Sequence, residues 1–292
     1  MKRIASSFSL VGAGVILLTL LPTLAPARAQ KSPHVCQGTA DKPGVLAGRF
    51  ANGVEVKGYC AVNSGPAHVI GTLRVTAGST LLAAYGMHKS KLSVRGDIKA
   101  GRRATLVLGC STTESACFDD PDMSHPTLNS FPTVTGDVTS NRPLGVIVHS
   151  TTIGGDVSQT GGGGGLTCQP KGPFAAFQSP VYSAYEDSTI SGDLSVTGVI
   201  SCWMGVIRNH VHNVSLNNNK LSDDDAIEVE SNHVRGNLGC AGNSHVWDSS
   251  ETTETGLYPR ALHRNHVRGK RFGQCRKAGP LTEGGPPAGG PF

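Results

Sequence analysis

The chain has 292 residues, with 26 Lys and Arg against 21 Asp and Glu, 38 Gly and only 5% aromatic residues. Its formal charge of +5 falls to about +2 once Lys2, Arg3 and Arg28 of the leading segment are set apart, which excludes the basic signature of a nucleic-acid binder. Abundant glycine with few aromatics favours many short strands and turns over helices.

Residues 1–29 carry Lys2 and Arg3, an apolar stretch from Phe8 to Leu21, and then Pro22, Pro26 and Ala27-Arg28-Ala29. That order predicts a secretory signal peptide cleaved after Ala29, hence a secreted, extracellular protein. The apolar run falls short of the roughly twenty residues a membrane-spanning helix needs, and no later stretch matches it, so no transmembrane anchor is expected. Residues 30–44 read as a flexible N-terminal segment. All eight cysteines, Cys36, Cys60, Cys110, Cys117, Cys168, Cys202, Cys240 and Cys275, follow the cleavage point. An even count in an exported chain predicts disulfides, and no CxxC pair suggests a metal site instead. Neighbouring pairs are the expected connectivity (36–60, 110–117, 168–202, 240–275), because a stacked fold brings sequence-adjacent segments together.

From about residue 45 a pattern recurs: β-branched, any residue, Gly, Asp or Asn, aliphatic. It reads Val94-Arg95-Gly96-Asp97-Ile98, Val134-Thr135-Gly136-Asp137-Val138, Ile153-Gly154-Gly155-Asp156-Val157, Ile190-Ser191-Gly192-Asp193-Leu194 and Val234-Arg235-Gly236-Asn237-Leu238. Degenerate copies stand at Val211-His212-Asn213-Val214 and Val267-Arg268-Gly269, and the starts are separated by 40, 19, 37, 21, 23 and 33 residues. A period near twenty with short strands predicts an all-β solenoid, a single right-handed parallel β-helix of roughly ten rungs over residues 45–277. The aliphatic positions should face inward, and Gly with Asp or Asn should turn the corner, Gly by adopting positive φ. Two interruptions, 111–132 with its prolines and 161–180 with its glycine run, read as projecting loops. Residues 278–292 read as a disordered Gly/Pro-rich tail.

Several constellations invite a chemical reading. Asn-His-Val occurs at 209–211, 232–234 and 265–267. Stacked rungs would place Val inward and His210, His233 and His266 outward, as a column able to hold zinc or to respond to pH; the competing reading is an exposed face beside a structural Asn ladder. Asp223, Asp224 and Asp225, followed by Glu228 and Glu230, are the candidates for calcium binding or paired acid and base chemistry; a solvated turn competes. Asp119, Asp120 and Asp122 lack the spacing of a calcium loop. Arg95-Gly96-Asp97 spells an adhesive tripeptide but is also one copy of the repeat. The glycines at 161–165 lack the Gly-Lys-Ser/Thr of a phosphate loop, and no Gly-x-Ser-x-Gly elbow is present. Trp203 and Trp247 are the available sugar-stacking residues, with Cys202 marking Trp203 as a core position.

The rung grammar resembles that of secreted bacterial, actinobacterial-type, right-handed β-helix proteins of unassigned role, and of bactofilin-like and pectate-lyase-like solenoids. The sharpest part is Asn232-His233-Val234-Arg235-Gly236-Asn237-Leu238-Gly239-Cys240, followed by Asn265-His266-Val267-Arg268-Gly269 and Gly273-Gln274-Cys275. The resemblance implies a Cys240–Cys275 bridge near the C-terminal cap, and no activity. The expectation is a non-enzymatic exported β-helix with a structural, adhesive or envelope-associated role, its partner a cell-wall or extracellular polysaccharide. The alternatives are a lyase or hydrolase of acidic polysaccharide and a self-associating filament scaffold.

Overall fold

A computed structural model of the protein describes residues 32–113, 115–223, 227–247 and 264–276. The segment read as a signal peptide, Asp224, Asp225 and the 278–292 tail lie outside the described residues.

Each turn of the chain lays down three short strands and then returns onto itself. Leu73–Val75 leads to Thr80–Ala83 and Leu92–Arg95, and the next strand, Ile98–Ala100, pairs in parallel with Leu73–Val75, Leu73 opposite Ile98. Repetition builds three parallel faces. The first runs from His34–Gly38 to Arg271–Gly273, the second from Gly44–Val45 to Ile227–Glu230, and the third from Gly48–Phe50 to His266–Val267. This is a parallel β-helix, an arrangement in which crossovers take the right-handed sense as a rule. Stacking is obligatory, because one rung alone cannot bury its apolar side.

The solenoid begins earlier than the sequence suggests. Residues 30–44, expected to be flexible, contain His34–Gly38, which pairs residue for residue with 54–58. Cys36 joins Cys60 across this start, and Cys110–Cys117, Cys168–Cys202 and Cys240–Cys275 complete the neighbouring pairs.

Inside, the repeat residues Val94, Val134, Ile153, Ile190, Val211 and Val234 are buried on the third face, and Ile98, Val138, Val157, Leu194, Val214 and Leu238 on the first. A polar pair within the coil satisfies itself: the buried Tyr185 hydroxyl donates to Gln159 Oε1 at 2.5 Å.

Positive φ is found at Gly96 (φ +152), but the other glycines of the full repeat copies do something else. Gly136, Gly155, Gly192 and Gly236 have ordinary φ; a Cβ on any of them would strike the Asp or Asn Oδ1 of the rung below. That oxygen is the acceptor of a ladder along the corner. The Asp137 N–H donates to Asp97 Oδ1 (3.2 Å), Asp156 to Asp137 (2.9 Å), Asp193 to Asp156 (2.9 Å), Asn237 to Asn213 (2.7 Å) and Lys270 to Asn237 (2.9 Å). Glycine is therefore required by close approach. Left-handed backbone occurs at the other two corners, on non-glycine residues such as Arg103, Arg142 and Asn218, and Ser150, Asp187, Arg208 and Ser231.

The two long insertions do not project. They fold over the outer side of the second face and bury a second apolar layer, in which Leu82, Val107, Ile147, Val181 and Ala184 meet Cys117 of one loop and Phe174 of the other. The loops also touch each other, Phe118 stacking on Phe177 with centroids 4.6 Å apart and planes within 7°. An outer face carrying Leu82, Val107 and Ile147 would otherwise expose a broad apolar patch, and covering it removes that cost.

Candidate functional site

The third face stacks its Asn-His-Val triplets in register: His210 opposes His233, and His233 opposes His266, with Val211, Val234 and Val267 in step. Register comes from the residue before each histidine. Asn209, Asn232 and Asn265 are buried at the corner, where the Asn209 and Asn232 N–H groups donate to the next asparagine's Oδ1 at 3.0 Å each. Their Nδ2 groups donate inward to the carbonyls of Tyr185, Val206 and Val229.

With the asparagines fixed, alternation sends the histidines outward, where all three are exposed. The rings of His210 and His233 stack with centroids 4.7 Å apart and planes within 3°; His233 and His266 lie 5.8 Å apart, tilted by 46°. Two positions along, Arg235 and Arg268 are exposed beside them, and Arg235 Nη2 donates to the Ser191 carbonyl at 2.6 Å. Together with Val234 these side chains line a shallow depression of about 210 Å³. Further back along the column stand Thr189, Thr152, Thr133, Ser93 and His68. Among the described residues no carboxylate stands in the column; along this edge Asp193 is held at the corner, its Oδ1 contacting His212 Nδ1 at 2.8 Å. Partial burial lowers the pKa of His233, and His210, His266 and Arg268 lower it further.

The parallel rings of His210 and His233 aim their nitrogen lone pairs in parallel rather than at one point, a poor geometry for that pair to share a metal ion. Among the described residues, the three ligand groups that do converge within 4.8 Å are Cys168, Cys202 and Asp223, and both sulfurs are already joined in a disulfide. The arrangement suits anions better than cations.

Comparison with known proteins returned no match, whether to a family model, a curated protein or a solved structure. The likeness to secreted bacterial solenoids therefore rests on the rung grammar alone.

A second cluster escaped the sequence reading. His149, Glu186 and Glu230 occupy equivalent outward positions on the second face, with Ile207 between the last two. Asp187 and Arg208 sit at the adjoining corner. Arg208 grips Asp187 with two hydrogen bonds, Nε to Oδ1 at 2.9 Å and Nη2 to Oδ2 at 3.1 Å, and reaches Glu186 Oε2 at 3.4 Å. Burial raises the pKa of Glu186 to about 7 against the pull of Arg208, with Asp187 adding to the rise. Burial lowers that of His149 to about 4; Asp187 opposes the shift and Arg208 reinforces it. Near neutral pH the imidazole is thus uncharged, and its Nε2 lies 3.8 Å from Glu186 Oε1, beyond hydrogen-bonding distance. Perturbed groups of this kind accompany active sites and structural ion-pair networks alike. Here the side chains are only 8–15% exposed and the arginine is engaged by both acids, so the cluster reads as structural. A rung-aligned sequence would have exposed it, because His149-Ser150-Thr151, Glu186-Asp187-Ser188 and Glu230-Ser231-Asn232 share one pattern.

The remaining candidates are dispersed. Asp223 is the described member of its triplet and lies beside the Cys168–Cys202 bridge. Glu228 accepts from Trp203 Nε1 at 3.1 Å, so Trp203 belongs to the second apolar layer rather than to a sugar platform. Asp119 accepts from the Gly86 and Met87 N–H groups, Asp120 from those of Thr127 and Leu128, and Asp122 from those of Ser124 and His125. These three carboxylates organise the loop. In Arg95-Gly96-Asp97 the aspartate serves the corner ladder and contacts Lys99 Nζ at 3.4 Å, so the tripeptide is a rung corner, not a loop apex.

Proposed function

We propose that the protein is an exported, non-enzymatic β-helix whose third face binds an extended anionic polymer, a cell-wall or extracellular polysaccharide bearing carboxylate or phosphate groups. The observation that supports this reading is the stripe of His210, His233 and His266 with Arg235 and Arg268, in a column without carboxylates. The groups repeat once per rung, about 4.8 Å along the axis, a rise comparable with one unit of an extended glycan. A solenoid suits such a ligand because its faces are straight and pre-formed, so little ordering is needed on binding.

The test is retention of the mature protein on immobilised polygalacturonate and on immobilised poly(glycerol phosphate) at pH 6 in low salt. Binding that weakens several-fold in an Arg235→Gln/Arg268→Gln variant and fades with added salt supports the reading. Absence of retention on either polymer refutes it.

A further inference from the structure

Three features of the histidine stripe, taken together, suggest more than a static cationic surface. The His210 and His233 rings are stacked nearly parallel at 4.7 Å, a spacing at which two imidazolium charges repel each other. The groups facing His233 are His210 from the rung before, His266 and Arg268 from the rung after, and Arg235 on its own strand. All are cationic or become so on protonation. Asp193, the corner carboxylate of the preceding rung, is engaged by His212 and Asn213. Among the described residues the stripe has no counter-charge of its own, so an external anion would compensate full protonation.

Resting on the anionic-polymer reading above, we infer that binding along His210, His233 and His266 is linked to proton uptake, so that the face captures its polyanion in acid and releases it as pH rises above neutrality. In the free stripe His233 resists its proton, standing between His210 on one side and His266 with Arg268 on the other. A polymer that lays an anionic group over each rung reverses the sign of the local field and draws that proton in. By linkage, a ligand that raises a group's pKa binds more tightly wherever protonation is incomplete in the free protein. His233 is the most sensitive position, since it has a cationic neighbour on both sides. Arg235 and Arg268 remain charged throughout and supply the portion of affinity that does not vary with pH.

The experiment measures affinity for polygalacturonate and for poly(glycerol phosphate), both anionic across the range, at pH 5.5 and pH 7.5 in the same ionic strength. A single histidine moved across neutrality by the ligand gives about a tenfold difference, so the expected result is binding at least about tenfold tighter at the lower pH. The variant His210→Gln/His233→Gln/His266→Gln should flatten this dependence while keeping the weaker, arginine-supported binding. Arg235→Gln/Arg268→Gln should lower affinity at both pH values and preserve the slope. All five side chains are exposed, so these variants should fold; circular dichroism and intact disulfides confirm it. Ring-proton NMR of His233 should show its pKa rising on addition of polymer. Equal affinity at the two pH values, or a slope that survives in the triple variant, overturns the proton linkage while leaving polymer binding intact. Absence of binding at both pH values overturns the underlying reading. Preference for one polymer at both pH values identifies whether carboxylate or phosphate is recognised.

Discussion

Replacing Asn232 with alanine removes a side chain that serves three strands at once. Its Oδ1 accepts from the backbone N–H and the Nδ2 of Asn209, each at 3.0 Å, and its Nδ2 donates to the Val206 carbonyl at 2.6 Å and to Asn265 Oδ1 at 2.8 Å. Asn209 is fully buried and Asn232 nearly so, so water cannot replace what is lost. Truncation leaves the Asn209 N–H and the Val206 carbonyl without these partners, and a buried polar group deprived of its hydrogen bond costs about 1–3 kcal/mol. The expected loss is about 2–6 kcal/mol, read as a lowered urea midpoint at unchanged slope in the disulfide-intact protein. Asn232→Asp sharpens the test. It keeps the acceptor but turns an oxygen toward the Val206 carbonyl, so it should also destabilise, increasingly so as the buried carboxyl ionises. A loss below about 1 kcal/mol for Asn232→Ala would refute the ladder as a source of stability.

Three further outcomes are expected. Gly155→Ala drives a methyl into Asp137 Oδ1 and the backbone of Gly136, and should cost about 1–3 kcal/mol by thermal or urea unfolding despite unstrained φ; a neutral result removes the close-approach argument. Removing the Cys36–Cys60 bridge, which closes a span of 24 residues, should lower stability by about 3 kcal/mol on the chain-entropy estimate, and an unchanged melting temperature would contradict that. The His149–Glu186 pair should show opposed pH dependences when each is left alone. In Glu186→Gln, His149 titrates near 4 folded against 6.5 unfolded, so stability holds above 6.5 and falls as pH drops toward 4. In His149→Gln, Glu186 titrates near 7 folded against 4.5 unfolded, so stability is greatest below 4.5 and falls as pH rises toward 7. In the parent the two slopes offset one another, because the folded protein holds on the carboxyl the proton it denies the imidazole; parallel slopes in the two variants would refute this.

The solenoid was legible because its constraint repeats. Val94, Val134, Ile153 and Ile190 mark one inward position rung after rung, and a period near twenty survives the insertions that interrupt it. The histidine column was legible for the same reason, being carried by three copies of a triplet. The role of the corner glycines was not, since a positive φ and a close approach both select glycine, and only the position of Asp137 Oδ1 relative to Gly155 separates them. The course of the two insertions was hidden as well: proline and glycine announce a loop but not the surface it lies on, and Phe118 and Phe177 meet across 59 positions of sequence. The His149, Glu186, Asp187 and Arg208 cluster has no local signal, because its members are ordinary residues until rungs are aligned.

Each corner acceptor of the Asp/Asn ladder serves the amide of the rung that follows, which gives the coil a polarity of growth. A unit ending in Asp or Asn offers a socket to whatever unit comes next, so duplication of whole rungs can lengthen the protein without new chemistry, while a partial duplication breaks the phase. The last described corner ends differently: Lys270 takes the Asn237 oxygen and offers only a cation in return. The coil passes such corners elsewhere: the residues at this position in the first rungs are Gly53 and Thr72, ahead of Asp97, so the ladder is a device added to stacking rather than a condition of it.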